Sequence, residues 1–442
     1  MEKQFISRRC ISLLASLLAA LLAGSWMTGW NSVYIPPLSQ RYGSPDQLSM
    51  TSSISLICMV LVPLLCVPLR SRLSVSAYTL IGAAIGAGGI ALSEFISSVY
   101  ELYLYLGVMV GSGAGMIYLS LASHVVRLFP ERKGLAAGLF TACFSFACFF
   151  QEDAPSGPVI SHEGSLVLRG IFFFMALALV SRFLYEVPEG GREVNQTGQA
   201  PGASARREYS PRDLLSSSAY YVMIAIYICG TGSGLVLGAI TYKSQIYASM
   251  TGGFSDPTVV AVILGLAIYL QSLGRLFWGW ISDRVNRLNV LILVGLLAAA
   301  GAFILAFTNE IALALIHGIT TEETILMTRN ITIQGTEIIF VITLLFLPVC
   351  YGAYASLLPP LAEELFGARH FAVNYNLLFL SFPLAHLVVW PCLMPIMHSS
   401  WNSQAIFILP AFFYLASVLL ILRLKQHLGA ARPGAGAKSG HA

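Results

Sequence analysis

Long apolar segments separated by short polar ones dominate the chain. A membrane-spanning helix needs about 20 mostly apolar residues, and twelve windows of that kind occur. The predicted spans are 12–34, 49–69, 75–95, 99–128, 134–156, 166–185, 219–242, 257–281, 288–308, 337–358, 371–397 and 405–422. Because these apolar runs are unbroken rather than alternating, a transmembrane β-barrel is disfavoured. The pattern therefore predicts an all-α membrane protein with twelve transmembrane helices.

A polar segment rich in Gly and Pro divides the twelve spans into two sets of six. The segment lacks periodicity, which is typical of a flexible linker. The last residues of the chain are low in complexity and are expected to be disordered. The predicted domains are an N-terminal six-helix bundle at 1–186, a cytoplasmic linker at 187–218, a C-terminal six-helix bundle at 219–424 and a disordered cytoplasmic tail at 425–442.

The composition excludes most soluble protein classes. Of the 442 residues, 56% are hydrophobic and 10% are charged, whereas soluble domains carry roughly 25% charged residues. We therefore expect the lipid bilayer as a partner and no nucleic acid. The sequence has no nucleotide-binding loop, no nucleophile triad and no metal-ligand spacing, so we expect no catalytic residue, cofactor or metal, and no enzyme activity.

The basic residues predict the orientation in the membrane. Of the 25 Lys and Arg residues, twenty lie in segments on the side of the N-terminus and four on the opposite side. By the positive-inside rule, both termini are cytoplasmic. An integral multi-pass protein of the plasma membrane is favoured, with an organelle membrane as the alternative. The sequon at Asn330 then lies outside and predicts a glycosylation site in a eukaryotic host, although short sequons also arise by chance.

The remaining basic residue, Arg275, lies inside the eighth span. A guanidinium in the membrane is costly, so it should face a partner or a water-filled path. Gln271, and no acid, stands one turn earlier. An anionic substrate held by the guanidinium fork would supply the missing partner. The alternatives are an arginine that caps helix carbonyls and one that extends toward the inner surface.

The two halves of the chain contain related segments. The fourth and tenth spans read GSGAGMIYLSLASHVVRLFPERKG and VCYGAYASLLPPLAEELFGARHF, and their alignment places Tyr118 opposite Tyr354. Two related six-helix halves are typical of a secondary transporter that is built from repeats. Chance similarity between glycine-rich helices is the alternative.

Residues 279–287, between the eighth and ninth spans, read GWISDRVNR. This loop resembles the G-x-x-x-D-R-x-G-R motif of the major facilitator superfamily. This resemblance implies two pseudo-symmetric six-helix bundles and alternating access. It also implies a gate on the inner side, for which the candidates are Asp283, Arg284, Arg287 and Arg132.

Three further segments are FPERKGLAAG at 129–138, LGR at 273–275 and LFGAR at 365–369. Together they resemble the oxalate/formate antiporter family and the related monocarboxylate transporters. The resemblance implies that Arg275 binds a substrate carboxylate and that Tyr118 and Tyr354 line the central cavity. Phe382 stands where the oxalate antiporter has a second cation, a lysine.

One cation is poorly matched to a dianion in a low dielectric. We therefore expect a small monocarboxylate rather than oxalate, carried by a monomer with Arg275, Gln271, Tyr118, Tyr354 and Phe382 at the site. Transport would be coupled to protons or to anion exchange. The alternatives are a facilitator of an uncharged or larger solute and a non-transporting sensor.

Three titratable residues are weaker candidates for proton coupling. His386 lies inside the eleventh span, and Glu152 and Asp153 lie near the predicted outer end of the fifth. Helix packing is the alternative for the histidine, and a solvated outer rim is the alternative for the two acids.

Overall fold

The computed structural model of the chain describes residues 2–28, 45–70, 72–147, 165–185, 208–242, 257–308, 325–388 and 403–430. These ranges are helical and contain no strand. The main helices of the twelve predicted spans are α1 (Glu2–Thr28), α2 (Pro45–Leu65), α3 (Val75–Leu92), α4 (Val110–Leu128), α5 (Lys133–Phe146), α6 (Leu166–Ser181), α7 (Ser218–Tyr242), α8 (Pro257–Ser282), α9 (Arg287–Ala306), α10 (Ile325–Phe366), α11 (Phe371–Phe379) and α12 (Ser403–Ala430), and shorter helical segments accompany some of them. The prediction of an all-α protein with twelve spans is confirmed.

The helix boundaries differ from the prediction at α1, which begins at Glu2, at α11, which ends at Phe379, and at α10. This helix begins at Ile325, ahead of the predicted start at residue 337, and therefore includes Asn330. Its end at Phe366 is followed by Gly367, whose φ of 91° belongs to the left-handed region that glycine adopts without strain. The Gly367 amide donates to the Glu363 carbonyl at 3.0 Å, a bond typical of a helix C-terminus.

Part of the predicted linker is ordered. A short helix, Pro211–Leu215, precedes α7. The Ser210 hydroxyl donates to the Asp213 carboxylate at 2.7 Å, and the Asp213 amide donates back to the hydroxyl oxygen at 3.3 Å. This reciprocal pairing supplies the capping that a helix N-terminus requires. The linker is therefore not flexible over its whole predicted length.

Several helices have the length and the apolar surface that a bilayer requires. Within the described ranges, seven helices are long and apolar enough to cross a membrane, and three shorter apolar helices accompany them. Four side chains on α6 form an exposed apolar stripe at helical spacing, each 61–67% exposed: Leu168, Phe172, Met175 and Leu179. Such a stripe is suited to contact with lipid chains.

The chain forms two compact units. Unit 1 comprises Met1–Leu215, Arg275–Asp283 and Ala355–Pro383. Its centre is α4, which is buried along nearly its whole length and contacts α1, α2, α3, α5 and α11. Small residues permit this close packing: a Cβ on Gly115 would lie 2.0 Å from the Met59 carbonyl oxygen on α2.

Unit 2 comprises Ser216–Gly274, Arg284–Tyr354 and Leu384–Ala442. Within it, α12 packs against both α7 and α9. The Asn286 side chain caps α9 by accepting from the Leu288 amide at 3.0 Å. At the other face of α9, Gly295 lies close to α12, since a Cβ there would be 2.6 Å from Val418.

Candidate functional site

Arg275 is buried within unit 1, with 8% of its surface exposed. Its Nη1 donates to the main-chain carbonyl of Thr141 on α5, at 2.8 Å. Its Nε is buried and has no hydrogen-bond partner among the described residues. Within the same part of the chain, Arg275 forms no ion pair. The guanidinium is thus held at one edge by a neutral acceptor, and its charge is not balanced there by a carboxylate.

The backbones of α5 and α8 touch along a glycine-lined contact that leads to Arg275. Gly138 faces the Arg275 main chain, and a Cβ on Gly138 would lie 2.5 Å from the Arg275 carbonyl oxygen. One turn along each helix, a Cβ on Gly279 would lie 2.4 Å from the carbonyl oxygen of Gly134. Side chains at these positions would force the helices apart, so the sequence G-x-x-x-G on α5 sets their distance.

The Asp283 carboxylate binds the N-terminus of α5. One oxygen accepts from the Gly134 amide at 2.7 Å, and the other accepts from the Leu135 amide at 2.8 Å. The first amides of a helix have no partner within the helix, and the helix dipole favours a negative charge at this end. The acid of the predicted gate motif therefore joins the inner end of α8 to the start of α5.

Two further contacts join unit 1 at the predicted inner ends of its helices. Lys133 forms an ion pair with Glu363 of α10, with 2.7 Å between Nζ and Oε1. The Arg127 guanidinium lies over the Phe371 ring at the start of α11, 5.9 Å from the ring centroid. Together with the Asp283 contact, they are referred to below as the inner contacts.

The arginines predicted for the gate differ in their surroundings. Arg132 precedes α5 and is exposed, as is Arg284. Arg287 begins α9 in unit 2 and is buried. Their gating roles stay predictions.

Tyr118 belongs to a cluster of aromatic rings in unit 1. Its ring centroid lies 4.6 Å from that of Phe144 and 5.5 Å from that of Phe140, both on α5. On α11, Phe379 lies 5.3 Å from Tyr118 and stacks on Phe382 at 4.6 Å. Tyr118 thus contacts α5, the helix that also accepts the hydrogen bond from Arg275, and Phe382 is connected to Tyr118 through Phe379.

Tyr354 lies inside unit 2 and is fully buried. Its hydroxyl is 3.2 Å from the Ser417 hydroxyl on α12, and its ring is about 6 Å from those of Tyr227 and Tyr414. Gly230 leaves room for this ring, because a Cβ there would lie 2.1 Å from it. These contacts are packing contacts within unit 2, and the predicted role of Tyr354 in substrate binding stays a prediction.

The other candidate residues predicted from the sequence lie at separate places in the chain. Gln271, on α8, and His386, which follows α11, belong to unit 2 and are half-buried. Glu152 and Asp153 lie outside the described residues. Asn330 lies in α10, and its predicted glycosylation stays a prediction. Within the described ranges, no three His, Cys, Asp or Glu residues are grouped in a way that could hold a metal ion.

The sequence and the fold identify the family. A model of the Major Facilitator Superfamily matches residues 13–334, which is well over half of the chain. The chain therefore belongs to the major facilitator superfamily, whose members are membrane transporters. The resemblance drawn from residues 279–287 is confirmed at this level.

Individual relatives are distant. The chain is 20% identical over 383 residues to an uncharacterized transporter of this superfamily from Escherichia coli K12, YhjX, and the match covers 86% of each chain. It is 23% identical to human monocarboxylate transporter 10, over 76% of this chain and 60% of that one. It is 22% identical to the oxalate:formate antiporter of Oxalobacter formigenes, over 67% of this chain and 62% of that one.

Solved structures show the same fold. The E. coli fucose:proton symporter FucP matches with a TM-score of 0.63 and 14% identity, over 94% of this chain and 98% of that one. The proton:xylose symporter XylE matches with a TM-score of 0.62, also at 14% identity, over 94% of this chain and 96% of that one. At such identities the likeness concerns the fold alone.

Sequence reasoning did not find the α5–α8 contact. Gly134 and Gly138 were visible only as part of a family-like segment, and the Thr141 carbonyl carries no side-chain signal. The spacing G-x-x-x-G within an apolar helix was the available clue. The partner of Lys133 was not predicted either, because Glu363 lies 230 positions further along the chain.

Proposed function

We propose that this protein is a secondary active transporter that moves a small monocarboxylate across a membrane by alternating access. Transport is coupled to protons or to the exchange of another anion. The observation that carries this proposal is the environment of Arg275: a buried guanidinium with a carbonyl at Nη1 and no described acid beside it.

A buried cation without a counter-charge is costly, and a substrate carboxylate removes that cost when it binds. The buried Nε has no described partner and, with Nη2, forms an edge that matches the two oxygens of a carboxylate. Arg275 has a donor to spare, which favours substrate binding.

A single negative charge fits this site better than two. Phe382 lies in an aromatic stack with Phe379, where a cation would be needed for the second carboxylate of a dianion. The names of the relatives, a monocarboxylate transporter and an oxalate:formate antiporter, are consistent with a small carboxylate. Because Phe382 provides no second positive charge, we propose a monocarboxylate rather than the dianion oxalate.

The rest of the proposed site follows from helix geometry and from the family resemblance. Gln271 precedes Arg275 by four residues on α8, a spacing that places both on one face of a helix. Tyr118 and Tyr354 are proposed to contact the substrate. Asp283, with Arg132, Arg284 and Arg287, is proposed to gate the inner side.

We further propose that residues 1–186 and 219–424 are the two moving bundles, joined by the linker at 187–218. Alternating access by rocking of two such repeats is the usual mechanism of transporters that are built this way. The protein is proposed to act as a monomer in the plasma membrane with both termini in the cytoplasm.

A thermal-shift experiment on the purified protein tests the substrate class. The probes are pyruvate, lactate and benzoate, the dianions oxalate and succinate, and the neutral amides of the three monocarboxylates. A ligand at 100 times its Kd stabilises the folded state by about 2.7 kcal/mol. We expect at least one monocarboxylate to raise the Tm and its amide to leave it unchanged, and we expect Arg275→Gln to remove the effect.

Two results would contradict the proposal. Equal stabilisation by a carboxylate and its amide, unchanged in Arg275→Gln, would indicate a facilitator of uncharged solutes. The absence of stabilisation by any probe would favour the non-transporting alternative.

A further inference from the structure

We propose that Gly138 is a positioning residue for Arg275, and that the α5–α8 contact through Gly138 couples the guanidinium to the gate at Asp283. The inference rests on the proposed function, in which Arg275 binds the substrate carboxylate. It adds Gly138 to the proposed site as a residue that does not touch the substrate. It also gives a reason why the affinity for substrate differs between the states open to either side of the membrane.

The first step is the distance between the two helix backbones. At Gly138 the missing side chain lets the Arg275 carbonyl approach to within 2.5 Å of where a Cβ would stand. Contacts below 3.0 Å are not available to a real Cβ against main-chain atoms, so any larger residue would push α8 away. At this helix separation, the Thr141 carbonyl, almost one turn further along α5, accepts a hydrogen bond from Arg275 Nη1 at 2.8 Å.

The second step is the orientation of the guanidinium. Its fixed planar fork presents donors in set directions. When Nη1 is bound to the Thr141 carbonyl at 2.8 Å, the opposite edge, formed by Nε and Nη2, is fixed as well. A carboxylate then meets donors that are already oriented, which reduces the entropy lost on binding.

The third step is the connection to the gate. Asp283 follows Arg275 by eight residues, about 12 Å along α8 at 1.5 Å per residue. Its carboxylate binds the first amides of α5. Between the two, Gly279 and Gly134 meet backbone to backbone. The last two turns of α8 therefore connect the arginine proposed to bind substrate with the gate acid, which directly follows the helix.

A consequence follows for the transport cycle. When the inner ends of α5 and α8 separate, the Asp283 contact and the Thr141–Arg275 hydrogen bond are lost together. The guanidinium is then free to rotate and to be solvated, and the substrate is held less tightly. High affinity belongs to the state in which the inner contacts are closed, and release belongs to the state in which they are open.

The test measures the freedom of Arg275 directly and needs no substrate. Phenylglyoxal condenses with the two Nη atoms of an arginine, so a hydrogen bond from Nη1 slows the reaction. The full-length protein, purified in detergent, is treated with this reagent, and modification of the peptide containing Arg275 is followed by mass spectrometry. We expect Gly138→Ala to increase the modification rate at Arg275 at least fivefold.

The matched control is Gly113→Ala. A Cβ on Gly113 would lie 2.5 Å from the Gly82 carbonyl oxygen, the same clash in α4, away from Arg275. We expect Gly113→Ala to lose about as much thermal stability as Gly138→Ala. In Gly113→Ala, however, Arg275 should react with phenylglyoxal within twofold of the wild-type rate. A wild-type rate in folded Gly138→Ala would overturn the proposal, as would an equal acceleration in both variants.

A second variant keeps the test decisive if Gly138→Ala does not fold. Asp283→Asn adds no heavy atom and leaves every glycine in place, but it removes the charge that binds the start of α5. We expect at least a twofold faster reaction at Arg275, two turns away. An unchanged rate would contradict the coupling. Because no substrate is present, these outcomes are independent of whether Arg275 binds a carboxylate, which the thermal-shift panel decides.

Discussion

At the scale of single residues, buried tyrosines in unit 2 differ in how their hydroxyls are satisfied. The hydroxyls of Tyr227 and Tyr414 are buried without a hydrogen-bond partner among the described residues, whereas Tyr354 pairs with Ser417. All three rings are fully buried. The three hydroxyls therefore make different contributions to stability, although the residues share one cluster.

Replacement by phenylalanine separates these contributions. A hydrogen bond contributes about 1 kcal/mol, and an unpaired buried hydroxyl costs about 1–3 kcal/mol. We expect Tyr354→Phe to lower the free energy of unfolding by about 1 kcal/mol and Tyr227→Phe to leave it unchanged or raise it. Denaturant unfolding in detergent measures the free energy of unfolding of each variant. Tyr414→Phe should behave as Tyr227→Phe does, because its hydroxyl is also without a described partner. Equal losses in all three variants would contradict this account of the cluster.

Arg275 itself was predictable from the sequence because one charge inside a long apolar span has few explanations. Its Thr141 partner was not predictable. That bond involves a main-chain oxygen, and although the G-x-x-x-G spacing indicates that α5 packs closely against another helix, it does not say which helix. The same limit applies to Tyr354, whose place in unit 2 depends on Gly230 in another helix.

At the scale of helices, α5 is held at its start by two different charges. The Asp283 carboxylate suits the positive end of the helix dipole, whereas the ammonium of Lys133 does not. The Glu363 carboxylate offsets the lysine, and both side chains are mostly buried, at 18% and 11% exposure. The pair therefore links α10 to the start of α5.

A double-mutant cycle measures the Lys133–Glu363 pair. Lys133→Gln leaves a carboxylate with few partners, and Glu363→Gln leaves a buried cation at an unfavourable helix end. We expect each single change to destabilise the protein and the double variant to lose less than their sum. The coupling energy should be about 1–3 kcal/mol, obtained from unfolding in detergent at constant salt. Additive losses would show that the pair does not contribute to stability.

The helices were predictable because each apolar window matches the thickness of a bilayer. The ends of the helices were harder to predict. The helix α10 extends over positions that hydropathy assigns to a polar loop, and the short helix Pro211–Leu215 lies within the segment predicted to be a flexible linker. For Pro211–Leu215, the capping by Ser210 and Asp213 accounts for the helix, and apolar periodicity does not report such capping.

At the scale of the whole molecule, membership of the major facilitator superfamily follows from features spread along the chain rather than from one motif. The charge distribution predicts the orientation that this account assumes. The two bundles divided by the linker remain a prediction, as does the cytoplasmic location of the termini.

Labelling of intact cells tests the orientation. A cysteine at Thr320, in the predicted outer loop between the ninth and tenth spans, should react with a membrane-impermeant maleimide. A cysteine at Gly198, in the linker, should react only after the membrane is permeabilised. The native Cys10, which is exposed, is replaced by serine in both variants. Reaction at Gly198→Cys in intact cells would contradict the proposed topology.

The most direct test of the central claim is uptake of a labelled monocarboxylate into liposomes that contain the purified protein. The carboxylate that stabilises the protein most is used, and pyruvate is used if several are equal. Loss of one partner of a buried charge pair costs about 2–5 kcal/mol, so Arg275→Ala should reduce uptake at least about 30-fold. Arg169→Ala, which removes an arginine from α6, should retain uptake. Wild-type uptake by folded Arg275→Ala would contradict the account.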